Sequence, residues 1–245
     1  MSLVRTVQTE ILDGLAADDP AAVHARADLR RIHRFMGTKS IVCRALDACL
    51  PQGNRPVRIL ELGAGDGSLL LRVAQTVATR WPQSHVCLLD REPAVQPATL
   101  DAFGALGWTA AVAPRDVLEW TASAGDSGGG AAGHWDLILA SLFLHHFGAE
   151  ALAPLLRGVQ QRCRAFVAVE PRRSRLALLA SYCVGALGAN AVTREDAVLS
   201  VRAGFRGAEI SACWGAPAAH WNLDERPAGL FSHRFVAAQR APVLS

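Results

Sequence analysis

The stretch 59-ILELGAGDGSLLLRVA-74 sets Gly63, Gly65 and Gly67 at two-residue spacing directly behind a short apolar run carrying Glu61. Glycines between a strand and a helix let the backbone turn tightly and approach a ligand closely, and the amide end of the following helix carries partial positive charge. The run 57-VRILEL-62, bounded by Pro56 and Gly63, reads as a buried parallel strand, and 68-SLLLRVAQTVATRW-81 reads as the helix after it. The spacing departs from the Gly-x-Gly-x-x-Gly of dinucleotide-binding turns. A carboxylate at Glu61 would repel a pyrophosphate and would suit a cationic ligand such as a sulfonium or ammonium group.

Working outward, 85-HVCLLD-90 is a second strand ending on Asp90, where doubly wound sheets put the carboxylate that accepts ribose hydroxyls. A helix over 94–107, despite Pro97, leads to a third strand, 108-WTAAVA-113, with Asp116 just beyond it. The runs 136-DLILAS-141 and 165-AFVAVE-170 are strands four and five, and 142–163 between them is mostly helical. Past strand five, 174–188 is helical, and 218–240 offers two strand-like runs joined around Pro227 and Gly229, an antiparallel hairpin closing the sheet. The expected fold is α/β, a doubly wound, mostly parallel, seven-stranded sheet. Upstream, Leu29, Ile32, Phe35 and Met36 recur at helical spacing, and 38-TKSIVCRALDACL-50 forms a further helix. Residues 1–52 are therefore expected as a helical lid and 53–245 as one compact unit, with the glycine-rich 123-SAGDSGGGAAG-133 a flexible loop inside it.

The chain has 245 residues, no apolar run of membrane-spanning length and no secretory signal pattern, so no membrane span and a cytoplasmic location are expected. Its six cysteines include no Cys-x-x-Cys pair, which disfavours zinc knuckles and redox dithiols, and no metal is expected. A formal net charge of +3 is too small to argue for a polyanion partner. The basic clusters 26-RADLRRIHR-34 and 172-RRSR-175 read either as solvated faces or as a mouth for an anionic or phenolic substrate.

With Glu61, the glycines, Asp90 and Asp116 in order, roughly residues 30–240 resemble the class I S-adenosylmethionine-dependent methyltransferases, and in particular small-molecule enzymes of bacterial polyketide and quinone pathways. The resemblance implies S-adenosylmethionine as cofactor. The glycine loop (Glu61, Gly63, Ala64, Gly65) would lie against its methionine part and ribose, Asp90 would hold the ribose diol, and Asp116 would meet the adenine amino group, flanked by Arg91 and Val117. The piece 139-LASLFLHHF-147 is similar to the family's strand-four motif. It implies Ser141 and Leu142 at the methionine end and either His145 or His146 as a catalytic base. On a helix the two histidines would face different ways, so at most one would line the site. A phenol and a histidine differ by about 3.5 pKa units, so full proton transfer before attack would cost roughly 5 kcal/mol and removal concerted with attack is favoured. A looser similarity of 170-EPRRSRLALLAS-181 and 192–210 implies Glu170, Arg172, Arg173, Arg194 and Arg202 on the acceptor side, with Arg34, Phe35 and Met36 as a lid.

The expected reaction is methyl transfer to a small phenolic, quinol or polyketide-like oxygen or carbon. Ser141-Leu142-Phe143-Leu144 stands where base amino methylases carry Asn/Asp-Pro-Pro-aromatic, and no Pro-Cys nucleophile appears there, so no nucleic-acid partner is expected. A non-catalytic cofactor-binding scaffold and an NAD-dependent reductase are the competing readings. The apolar run 176-LALLASYCVGALG-188 could cover the pocket or bury itself in a partner, which leaves a homodimer open.

Overall fold

The apolar run ahead of the glycine turn forms β1 (Arg58–Leu62) at the middle of a seven-stranded sheet in the computed structural model, which describes residues 3–16, 18–50, 53–123, 134–215 and 220–240. The sheet also contains β2 (His85–Asp90), β3 (Thr109–Pro114), β4 (Leu137–Ser141), β5 (Ala165–Pro171), β6 (Trp221–Ala228) and β7 (Ser232–Gln239), in the order β3-β2-β1-β4-β5-β7-β6. Strands β1 to β5 run parallel, and β7 pairs antiparallel with both β5 and β6. The expected doubly wound sheet with an antiparallel hairpin at its end is therefore present.

Alternation along the strands feeds two cores. Ile59, Val86 and Leu88 pack on one face with Trp81, Phe103 and α2 (Thr38–Cys49). Leu60, Leu62, Cys87 and Leu89 pack on the other with Trp120, Phe166 and Trp214. Helix α2 contributes Ile41, Val42, Ala45 and Leu46 to the first core, so it belongs to the sheet layer rather than to a lid. Among the described residues of the N-terminal region, α1 (Pro20–Phe35) and the segment before it line the site. The six cysteines are free thiols, and Cys43, Cys87 and Cys163 are buried.

Several boundaries differ for local reasons. Helix α3 (Ser68–Val77) follows the glycine turn as expected, whereas α4 (Pro97–Ala105) begins at Pro97, which suits a first helical position because its missing N–H would be unpaired there anyway. The expected helix over 142–163 is a single 3-10 turn, Leu144–His146, followed after Gly148 by α6 (Ala149–Gln160). The run 174–188 splits into α7 (Arg175–Tyr182) and a 3-10 turn, Val184–Leu187, stopped by left-handed Gly188. Beyond it lie α8 (Ala191–Ala203) and α9 (Glu209–Trp214). Pro227 sits within β6, an edge strand that tolerates a missing donor, and Gly229 at φ 81° makes the turn. The expected glycine-rich loop lies outside the described residues apart from Ser123.

Candidate active site

The order of the sheet reverses between β1 and β4, and a chamber of about 440 Å³ opens at the carboxyl edge there. One wall is the glycine turn. Gly63, Gly65 and Gly67 have φ of 64°, 55° and 70°, a region that side chains rarely adopt. A Cβ on Gly63 would lie 2.2 Å from the Phe143 ring, so bare backbone is required to pass β4's exit. The turn is pinned by its acids. Asp90 accepts from Gly65 N at 2.8 Å and from Glu92 N at 2.9 Å, and Asp66 accepts from Ser68 N at 3.0 Å.

Gly63, Gly65, Asp90, Arg91, Asp116, Val117, Ser141 and Leu142 all line the chamber. Asp116 is also the N-cap of α5 (Val117–Ala122), its Oδ1 accepting from Leu118 N at 2.7 Å. Glu61 and Ala64 lie off the wall. Glu61 is buried and its Oε2 has no protein partner; burial, then Asp66 and Asp90, push its pKa well above the usual range.

The opposite wall is the exit of β4. Leu142 has φ 50°, a conformation costing about 1–3 kcal/mol for a side chain and found where surroundings over-determine it. Here the surroundings are explicit. Leu142 N donates to Val169 O at 2.9 Å, and the buried Glu170 carboxylate accepts from Phe143 N at 3.1 Å, Leu144 N at 3.0 Å and His145 N at 3.3 Å. Glu170 also meets His145 Nδ1 at 2.8 Å, and His145 Nε2 lies 3.2 Å from Glu10 Oε1. Burial alone would depress the His145 pKa, but the two carboxylates outweigh it and raise it to about 9. An imidazole held between two carboxylates in this way favours its charged form. His146, more open, is held at Nδ1 by Asp13 Oδ2 at 3.0 Å. Because the turn is 3-10 rather than α-helical, both imidazoles border the chamber, with ring centroids 4.3 Å apart.

Glu10 and Asp13 come from an irregular strap, residues 3–15, held across the site. Ile11 N and Leu12 N donate to Asp196 on α8 at 2.8 and 3.0 Å, and Arg5 donates to Phe147 O at 2.9 Å with its guanidinium 4.4 Å above the Phe205 ring. Ser200 of α8 donates to Glu10. Burial would raise the Glu10 pKa, but the His145 hydrogen bond and charge lower it. Glu10, His145 and His146 bring donor atoms of metal-binding type within 4.8 Å of one another, although each imidazole is already engaged by a carboxylate.

The acceptor-side expectations divide. Phe35 and Met36 line a second, apolar chamber of about 620 Å³, bounded also by Ile32, Ala177, Val184 and Phe231. The Phe35 and Phe231 rings stack at 5.9 Å. The two chambers meet at Glu10, Leu12, Leu29, Leu142 and Ser200. Arg34 is exposed and borders neither chamber. Arg173 is buried and spends its guanidinium on Leu3 O at 3.0 Å, Gly204 O and Glu209, so it anchors the strap instead of meeting an acceptor. Glu170 likewise acts behind the wall, and Arg172, Arg194 and Arg202 border neither chamber.

Glu10 and Asp13, which sequence reasoning missed, also line the first chamber, as do Arg30 and His33 from the basic cluster 26–34 that could be read as a substrate mouth. Arg26, Arg30 and His33 share one face of α1 at helical spacing, a signal that was present; Arg30 pairs with Asp66 at 2.6 Å. Burial pushes the His33 pKa down to about 4, and its Nδ1 has no partner. The strap has no periodicity, so nothing in the sequence flagged its acids.

No family model and no curated protein matches the chain. Solved structures do. It is similar to the plantazolicin methyltransferase BpumL in complex with SAH, at 12% identity over 91% of this chain and 92% of that one, with a TM-score of 0.61. It is also similar to magnesium protoporphyrin IX methyltransferase (ChlM) from Synechocystis PCC 6803 with bound SAH, at 16% identity over 94% and 91%, with a TM-score of 0.52. The pyocyanin biosynthetic protein PhzM matches at 16% identity and a TM-score of 0.55 over 91% of this chain, which spans only 60% of PhzM. With its strand order and terminal antiparallel pair, the chain has the Rossmann-like fold that these methyltransferases share.

Proposed function

We propose that the protein transfers a methyl group from S-adenosylmethionine to a small, largely apolar acceptor carrying a phenolic, quinol or polyketide-like oxygen or carbon. The observation that carries this reading is the pair of joined chambers, one walled by acids and bare glycine backbone at the sheet's switch point, the other apolar. Structural neighbours holding SAH in the same fold support it.

The residues present fit the cofactor. The partnerless Glu61 oxygen belongs to a buried carboxyl whose ionised form a nearby cation would stabilise. Asp90 keeps lone pairs for a ribose diol beyond the two backbone amides it accepts, and Asp116 offers its second oxygen to an adenine amino group, with Arg91 and Val117 beside it. Gly63, Ser141 and Leu142 border the methionine end. When bound, the cofactor supplies an electrophilic methyl group on a sulfonium.

His146 is the proton acceptor in this reading. Asp13 holds its Nδ1, which leaves Nε2 for the acceptor's proton as the nucleophile attacks. His145, charged and clamped between Glu10 and Glu170, is a positioning residue that ties the strap to the β4 exit. Alignment of nucleophile and methyl group can supply about 7–11 kcal/mol, so the base assists rather than dominates.

Release of S-adenosylhomocysteine (SAH) in the presence of a panel of phenols, quinols and polyketide-like enols tests the reading. At least one acceptor should give release matched by a methylated product. Cofactor binding without release across the panel would instead favour a non-catalytic scaffold.

A further inference from the structure

Helix α7 has two sides. Ala177, Ala180 and Ser181 line the apolar chamber, whereas Leu176, Leu179 and Tyr182, three residues apart, are each at least half exposed. They do not stand alone. Arg172 N donates to Phe231 O at 2.7 Å, which sets the β6–β7 turn, with its exposed Leu230, against the residues leading into α7. Phe231 stacks on Phe35, which is 70% exposed at the end of α1, and both rings line the chamber. Helix α1, helix α7 and the hairpin turn thus carry exposed large apolar side chains along the chamber's edge: Phe35, Leu176, Leu179, Tyr182 and Leu230. A single exposed apolar side chain is ordinary, but a cluster of them marks an interaction surface.

Charge selects the occupant. The segments that carry these side chains, 29–39, 171–190 and 226–234, contain no Asp or Glu, and Arg31, Arg34, Arg175 and Arg226 are exposed on them. The acids immediately before each segment are engaged. Asp28 is buried against Arg31, Glu170 caps the β4 exit, Asp224 pairs with Arg226 and Arg234, and Glu225 accepts from Ile210 N and Ser211 N. A second copy docked face to face would set arginine against arginine. An anionic bilayer answers both features, with leucine and aromatic side chains entering the boundary between headgroups and acyl chains while arginines meet lipid phosphates. We infer that this strip docks on an anionic lipid surface, with the edge of the apolar chamber turned toward the bilayer. The inference goes beyond the methyl-transfer reading and stands without it.

Co-sedimentation with vesicles tests it, using phosphatidylcholine alone and phosphatidylcholine mixed in equal parts with phosphatidylglycerol. The protein should bind the mixed vesicles at least about tenfold more tightly than the neutral ones, and added salt should narrow the gap. Leu179→Ser and Leu230→Ser should each weaken binding roughly tenfold, and Arg34→Gln about fivefold. Leu223→Ser, near the opposite end of β6 from the turn, should change nothing, and thermal melting followed by circular dichroism should show every variant folded. Absent binding, equal binding to both vesicles, or binding indifferent to the strip variants would overturn the inference. So would a dimer that Leu179→Ser dissociates, because the face would then belong to a second copy. Failure of S-adenosylmethionine to bind would overturn the methyl-transfer reading and leave this one standing.

Discussion

The two chambers are built by different parts of the chain under different rules. The first chamber, proposed for the cofactor, combines strand ends carrying left-handed glycines and carboxylates with the strap and the Arg26–Arg30–His33 face of α1, and its lining is rich in charged and directional groups. The acceptor-side chamber is made by helices α1, α7 and α8, where any apolar side chain of suitable size serves, and its contacts are mostly shape. The strap residue Glu10 and the strained Leu142 belong to both. A change on the sheet side should therefore act on cofactor affinity, a change at the junction on turnover, and neither should mimic the other.

The largest separation is expected at Asp90. If Asp90 holds the ribose as proposed, Asp90→Ala removes two charge-assisted contacts of about 1.5–3 kcal/mol each and unpins Gly65, so cofactor affinity should fall by more than about a hundredfold. Titration calorimetry checks this, and an unchanged Kd would break the assignment of the acid wall to the ribose.

Beside the junction, His146→Ala should lower kcat by about a hundredfold with cofactor affinity retained, the usual contribution of a positioned base. His145→Asn should instead act mainly on stability. Equal and negligible losses of turnover from both would argue that neither imidazole takes part in the chemistry.

A third effect is a pH dependence. His145 has a folded pKa of about 9 against 6.5 for the ordinary imidazole, so its stabilisation is fully present below about pH 6.5 and is lost as pH rises through about 9. The amount is on the order of 3 kcal/mol. Chemical denaturation from pH 6 to 10 should show this decline in the native chain and a flatter profile in His145→Asn; parallel profiles would mean that the Glu10–His145–Glu170 array is not ionised as described.

The contrast between the chambers also explains what could be read from the residues alone. The parallel strands, the hairpin and the glycine turn follow from periodicity and from local backbone demands, which act over a few residues, and Asp90 from its place at the end of the second strand, whereas Asp116 was singled out only through the family resemblance. The histidine pair was visible but its geometry was not, because the long-range capping of the Leu142 turn by Glu170 replaces an expected α-helix with one 3-10 turn. Arg173 and Glu170 looked like acceptor contacts because charge near strand five is ambiguous until burial is known, and both turn out to hold other segments in place. Glu10 and Asp13 lie in an irregular strap whose position depends on Asp196, far away in sequence.

The central claim is that the acid-walled chamber accepts a sulfonium cofactor, and calorimetric titration with S-adenosylmethionine and, separately, NAD tests it most directly. The account predicts saturable S-adenosylmethionine binding with no measurable NAD binding. Tight NAD binding with no S-adenosylmethionine binding would contradict the account.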